Sequence, residues 1–473
     1  MDSFREARKG EVPPQSNLRG NIMPEQPYTR QLAEFVFNLR YDTLPEDVIH
    51  RAKQCLIDYL GCAILGHTYP HAPKLVSTIR ELKGGEQAAI IGFGDRTTVT
   101  YAALVNGAMG STQLDDTCLA SLGHPAVGVM PSVLSVGEWK HKSGRDAITA
   151  IVTGYELAMR VGAAIGAETF KRGWHPRGGV NVFGSAAAAS ILLNPTSIDE
   201  VCHSLSLGGT QASGLNEASF FYDGWHLLSG SAAQDGVLAA ILAHAGYTAG
   251  CTILEGPQGY VQAVSPKSDL SQLNKELGEK FSIMNVAMKS YPSSHLIHAA
   301  IEAAVDLSKR HSIDSAHLDR IEVGVVNIDY LLDKTFPKDF FAASMNIPFL
   351  IAFSLRYGQG PRQIKPENLE DTLLKEVFRR VDVYVDKEME SQRPKYLGSV
   401  VRVRARDGKT FEEKVLTPKG DPDNPFTDDD IREKFESLTS GLISAEKQKA
   451  LWSKVMRLEQ EQDIGTLLPL TCR

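Results

Sequence analysis

Residues 184–193 read Gly-Ser-Ala-Ala-Ala-Ala-Ser-Ile-Leu-Leu. A run this small and apolar has no face fit for water, so it predicts a buried helix whose backbone comes close to its neighbours. The surrounding sequence supplies those neighbours. Apolar residues recur at three- and four-residue spacing over 29–39 and 45–65, where Val48, Ala52, Cys55, Leu56, Tyr59 and Leu60 form one series. Pro45 suits the first turn of that helix. Further helices are expected over 99–110, 126–139, 144–165, 197–207, 229–244 and 296–309, with a short strand or extended turn over 88–94. Up to about residue 270 the chain is nearly all helix and rich in alanine and glycine.

The pattern changes near residue 275. Ile321, Val323 and Val325, then Val381, Val383 and Val385, then Val401 and Val403 alternate as strands do. Asp407-Gly408 is a turn pair that joins antiparallel strands, with 410–415 as the return. After Pro418 comes a proline-punctuated loop, and Thr427 ahead of Asp428, Asp429 and Asp430 marks a helix start. A last helix is expected over 444–460. The expected fold is mainly α with an α+β lid. An N-terminal arm spans 1–26, a helical domain 27–272, the lid 273–415, and a return to helix 416–473.

Composition narrows the function. A net charge of −7 argues against nucleic acid as a main partner, yet leaves room for a small anion in a locally positive pocket. The cysteines, Cys55, Cys62, Cys118, Cys202, Cys251 and Cys472, form no CxxC pair and no zinc pattern, so reduced buried thiols in an intracellular protein are expected. No apolar stretch is read as approaching the roughly 18 residues of a membrane span. The first 26 residues are polar, with Pro13, Pro14 and Pro24, and lack the apolar core of a secretory signal. Asp2, Glu6 and Glu11 set them apart from a mitochondrial presequence. They read as a disordered or docking arm. The expected location is the cytoplasm, with mitochondria as the alternative.

His175 stands between Gly173-Trp174 and Arg177-Gly178-Gly179, just ahead of the buried helix. Glycines permit a tight turn and leave N–H groups open, and a helix N-terminus suits an anion. This predicts a proton-transfer group beside a carboxylate site. Asp115-Asp116-Thr117 precedes His124, so a carboxylate can orient and tune an imidazole; the plainer alternative is that Asp115 and Asp116 cap the next helix. Lys289-Ser-Tyr-Pro-Ser-Ser-His-Leu-Ile-His298 lies where the two patterns meet, and such junctions favour pockets. There Ser293 and Ser294 are expected to cap a helix, with His295 and His298 on one side of it and Lys289 supplying positive charge. Asp223-Gly-Trp-His226 leads into a packed helix. No P-loop, dinucleotide fingerprint or HExxH occurs, and His124, His175, His295 and His298 match no metal signature.

Taken together, these segments resemble the MmgE/PrpD family from about residue 29 to 458. The resemblance is carried by Arg51-Ala-Lys53 with Asp58 through Gly61, Leu114-Asp-Asp-Thr117 with His124-Pro125, and Gly173-Trp-His175 with Phe183-Gly-Ser-Ala-Ala-Ala188. Leu254-Glu-Gly256, Lys289, Tyr291-Pro292, His298-Ala299 and Asn424-Pro-Phe-Thr427 extend it. It implies a large helical domain built from both chain ends, an inserted α+β lid, a homodimer, no metal or organic cofactor, and a small carboxylate substrate. Asp115 and Thr117 match the family's aspartate–threonine stretch; His124, His175, Lys289 and His298 match its pocket residues. The interval from Thr117 to His124 is one residue longer than in the decarboxylases. The lysine that many members carry before the glycine matched to Gly230 is Trp225 here, followed by His226. The pocket tyrosine of the decarboxylases falls at Leu331, with Tyr330 next door, and two common cysteines are Ser293 and Ser294.

The resemblance and the residues together point to a cofactor-independent lyase acting on a small or alkyl-substituted polycarboxylate. The leading expectation is dehydration of a 2-methylcitrate-like or alkylcitrate-like β-hydroxy acid. A cis-aconitate-type decarboxylase, an isomerase or epimerase, and a non-catalytic binding protein are the alternatives. His124 and His175 are expected as acid and base, unassigned between them, with Asp115 orienting a histidine and Lys289 and His298 completing the catalytic set. Thr117, Arg177, Gly178, Trp225, His226, Ser294 and Tyr330 are expected to line the substrate. Lys289 and the backbone N–H groups of Gly178 and Gly179 would hold carboxylates and stabilise enolate charge. Tryptophan in place of lysine favours an apolar substituent, or one carboxylate fewer than a tricarboxylate.

Overall fold

The computed structural model describes residues 26–219, 222–327, 334–362, 364–393 and 396–473. Nearly all of the expected arm, and both Tyr330 and Leu331, lie outside the described residues.

Helices Val99–Gly110, Ala126–Trp139, Gly144–Ile165, Asn181–Leu192 and Gly224–His244 pack directly on one another. Glycine is what lets them approach. A Cβ at Gly230 would lie 2.4 Å from the Leu104 carbonyl oxygen, and one at Gly154 would lie 2.9 Å from that of Gly184. The alanine-rich helix Asn181–Leu192 sits in the middle of this layer, buried at every residue but Ile191. Helix Gly144–Ile165 corrects one expectation. By length and composition it is apolar enough to cross a membrane, but 94% of that stretch is buried inside the fold. It is apolar because other helices surround it, and a Ser143–Asp146 capping box starts it.

The chain returns to this body at its C-terminal end. Thr427 forms a capping box with Asp430 and opens helix Asp428–Thr439. Ile431, Phe435, Leu451, Val455, Ile464 and Leu467 join the same core as Leu56, Leu60, Val133 and Ile151. Between these parts lies a separate core running from Ile297 to Val403. Its sheet has the order Val381–Val385, Leu318–Val325, Ser399–Ala405, Thr410–Val415; the first pair is parallel and the other two antiparallel. Helices His298–His311 and Ile347–Tyr357 pack with this sheet. The architecture is mainly α with a smaller α+β unit.

Two differences from the sequence reading bear on the site. Helix His71–Leu82 was not expected. Helix Gly224–His244 begins five residues before the expected 229, so Trp225 and His226 stand on its first turn. Ser229-Gly-Ser reads locally as a start signal, but close packing against Leu104 carries the helix through it.

Candidate active site

The loop from Ser111 to His124 carries the carboxylates. Gln113 and Leu122 take positive φ values of 67° and 49° there, a local strain that persists only where neighbours over-determine the backbone. Thr117 and Ala287 exchange backbone hydrogen bonds of 2.9 and 2.8 Å. Asp116 accepts from the Ala126 N–H at 3.1 Å and from the Tyr155 hydroxyl at 2.8 Å. Asp116 therefore caps the next helix, as the plainer alternative had it, and burial lifts its pKa to about 7. Lys434, from the C-terminal helix, braces the loop from outside. Its Nζ lies 2.6 Å from Asp58 and donates to the Leu114 carbonyl at 2.9 Å.

Arg177 is fully buried at the centre of the cluster. Its Nη1 donates to Asp115 at 2.8 Å, Ser111 at 3.0 Å and Ser229 at 3.3 Å. Nε and Nη2 have no hydrogen-bond partner among the described residues. That edge of a guanidinium is one that can grip a carboxylate with two parallel bonds. Trp225 lies under the guanidinium, 4.9 Å away. Burial works against a charged Asp115, but Arg177, His124 and Lys289 outweigh it and hold the carboxyl well below its usual range.

The same surroundings keep the imidazoles neutral. Burial, then Arg177 and Lys289, lowers His124 to about 4. Burial, then Arg177 and His124, holds His175 well below its ordinary value. The two rings take opposite tautomers. His124 Nδ1 lies 2.6 Å from the Asp116 carbonyl oxygen and 3.2 Å from Asp115 Oδ2, so Nδ1 carries the proton and Nε2 the lone pair. His175 Nδ1 accepts the Arg177 backbone N–H at 3.0 Å, so its proton sits on Nε2. The His175 ring meets Phe170 and Trp225 edge-on.

Lys289 is buried and donates to the Gln113 carbonyl at 3.1 Å. Burial lowers its pKa to about 8. His298 is also buried, with Tyr291 at 5.3 Å and His295 at 5.0 Å. Neither of its ring nitrogens has a well-aligned hydrogen-bond partner among the described residues. Burial, then His295 and Lys289, keeps it neutral. Lys289 depresses both His298 and His124, so loop and seam share one electrostatic environment. Asp115, His124, His175, Arg177 and Lys289 are thus brought together, and His298 feels the Lys289 charge from its place beside Tyr291 and His295.

Other expected site residues behave differently. Gly178 and Gly179 donate their N–H groups to the His175 carbonyl at 3.2 and 3.3 Å. A Cβ on either would lie 2.4 Å from the Ser213 carbonyl oxygen or 2.3 Å from the Tyr260 hydroxyl. They are glycines for close packing, which corrects the expectation that their N–H groups await an anion. The Ser294 side chain makes no cap bond; the Ser293 hydroxyl donates to the Ser294 carbonyl, and the helix starts at His298 after one 3-10 turn. The Thr117 hydroxyl donates to the Gly123 carbonyl at 3.4 Å and braces the loop. Trp225 faces His175 and Arg177, while His226 stacks on His71. Tyr330 lies outside the described residues. No three His, Cys, Asp or Glu side chains group as metal ligands among the described residues. Sequence reasoning missed Ser111, Ser229, His71 and Lys434. Only Lys434 had a cue, since its partner Asp58 belongs to a quoted motif.

Comparison with known proteins places the whole chain. The MmgE/PrpD N-terminal domain matches residues 30–273 and the C-terminal domain residues 291–460. A cis-aconitate decarboxylase-like protein of Aspergillus oryzae is 30% identical, over 94% of this chain and 98% of its own length. The cis-aconitate decarboxylase of Aspergillus terreus is 27% identical over 93% and 95%, and that of Homo sapiens 26% identical over 93% and 94%. Similarity to such enzymes over nearly the full length supports a lyase. With both domains matched in order, the chain belongs to the MmgE/PrpD family.

Proposed function

We propose that the protein is a lyase that releases carbon dioxide, without a cofactor, from a small polycarboxylate bearing an apolar substituent. The observation that carries this reading is the edge of Arg177 that has no partner among the described residues, on a permanently charged side chain in a fully buried place. Lys289 adds a second cation, and Asp115 offsets only one of the two. The similarity to cis-aconitate decarboxylases supports the reading. A retained carboxylate would sit against Arg177 and Lys289. The departing one would face the Phe170 and Trp225 rings beside His175, a surface that solvates a carboxylate poorly. As the carbon–carbon bond breaks, its electron pair stays on the substrate carbon, stabilised by the two cations. His175 Nε2 then delivers the proton that completes the product. That step needs a protonated ring, and the negative charge of a bound substrate works in that direction, against burial and Arg177.

A second reading is dehydration, the leading expectation from sequence. It is favoured by the lone pair on His124 Nε2 and the N–H on His175 Nε2. One ring would take a proton beside a carboxylate, and the other would protonate the departing hydroxyl. Both readings are tested by incubating the protein with cis-aconitate, an alkyl-substituted cis-aconitate and 2-methylcitrate. Products are weighed by mass spectrometry. Loss of carbon dioxide is expected, best with the alkyl-substituted cis-aconitate. Loss of water alone selects dehydration. Binding with neither loss selects the non-catalytic alternative.

A further inference from the structure

His71 and His226 take no part in the steps above. His71 opens helix His71–Leu82, and His226 stands beside Trp225 on the first turn of helix Gly224–His244. Their rings stack with centroids 3.5 Å apart and 13° between planes. Tyr69 meets them edge-on at 6.1 and 6.5 Å, and Phe340 of the α+β unit covers Tyr69 at 5.8 Å. The backbone of Ala108 lies near the His71 ring and that of Ser111 near the His226 ring. His71 Nε2 and His226 Nδ1 are buried with no well-aligned hydrogen-bond partner among the described residues. Ser111 connects the pair to the site, because its hydroxyl also accepts from Arg177. A buried ring nitrogen without a partner carries a free-energy penalty until a polar group fills the place. Two imidazoles stacked this closely resist double protonation, but one of them can take up a proton when an anion arrives and offer it an N–H.

We infer that His71 and His226 form a second anchoring subsite, which holds the carboxyl group of the substrate remote from the reacting carbon. This rests on the polycarboxylate reading above. The pair takes over, from the next residue, the role that a lysine at Trp225 would have had. An alkyl tail fits less well, since it would leave both nitrogens unpartnered, and Trp225 already offers apolar surface.

The test is calorimetric titration with tricarballylate, which has three carboxylates, and methylsuccinate, the same skeleton without one terminal carboxylate. The wild type is expected to bind tricarballylate at least about tenfold more tightly. His71→Phe and His226→Phe should each erase that preference, with a loss of about tenfold on tricarballylate and no change on methylsuccinate. Thermal unfolding checks each variant. If a phenylalanine variant does not fold, His71→Gln or His226→Gln replaces it, with a smaller loss in the same direction expected. No wild-type preference, an unchanged ratio in folded variants, or equal losses on both acids would overturn the subsite. Binding needs no turnover, so the two readings fail separately. A preference erased by the variants, with no loss of carbon dioxide or water from any acid, supports the subsite and removes the lyase. Carbon dioxide release with an unchanged ratio does the reverse.

Discussion

Asp115, Arg177, His124 and His175 are tied to one another and to the helical body by direct hydrogen bonds. Lys289 and His298, on the segment that leads into the α+β unit, are equally buried but sparsely bonded. Lys289 donates to one carbonyl, and His298 has no well-aligned partner among the described residues. The difference separates two jobs. The loop side fixes charge and tautomers before any substrate arrives, which is how preorganised electrostatics lower a barrier. The seam side keeps polar groups whose partners a ligand can supply. Substitutions on the loop side should therefore strike stability and activity together, while those on the seam side should strike activity with little effect on stability.

The largest effect expected is at Arg177. Arg177→Met takes from the buried Asp115 the strongest of the groups that hold it charged, a loss of about 3–5 kcal/mol measurable by urea unfolding. Adding Asp115→Asn should restore most of that stability without restoring turnover. An Arg177→Met variant as stable as the wild type would break the comparison at its root. His175→Ala should lower kcat by roughly 10²-fold or more, the scale of a lost proton-transfer group; near-normal turnover would remove it from the mechanism. On the seam side, His298→Phe should stay within about 1 kcal/mol of wild-type stability, because no formed hydrogen bond is lost, while steady-state turnover falls. A large drop in unfolding free energy there would mean that the seam is as tightly tied as the loop.

The pH dependence follows from the shifts. Lys289 has its pKa lowered to about 8 by burial, so kcat/KM should fall as pH rises past 8 and the cation loses its proton. Lys289→Arg keeps the charge and should remove that limb. His124 titrates near 4 when folded, against 6.5 for an ordinary imidazole. Between those values the folded chain binds fewer protons than the unfolded one. Its depressed pKa therefore lowers stability progressively as pH falls from 6.5 to 4, with no such loss above 6.5. Denaturation midpoints across that range check this. The smallest effect is one of preference. Trp225→Lys puts a further cation beside Arg177 and should shift kcat/KM by about tenfold toward cis-aconitate over an alkyl-substituted cis-aconitate, the scale of one charge-assisted hydrogen bond. No shift in that direction would separate Trp225 from substrate choice.

The sequence by itself determined the helical body. Its readings for 99–110, 126–139 and 144–165 agree with the observed helices to the residue, because small-residue periodicity and capping are properties of neighbouring positions. It also singled out His124, His175, Arg177 and Lys289, since each stands beside glycine, proline or a charge break that marks a loop or junction. Gly178 shows where local reasoning stops: the missing side chain that can open a backbone to a ligand serves here to admit the Ser213 carbonyl. Tertiary structure alone decided which nitrogen of each imidazole holds the proton, which edge of Arg177 is left over, and that His71 meets His226. It also brought Lys434 to the Leu114 carbonyl across 320 residues and Arg177 to Asp115 across 62. A charge balance of this kind depends on partners distant in the chain, and burial makes each of those contacts count. No local pattern encodes them.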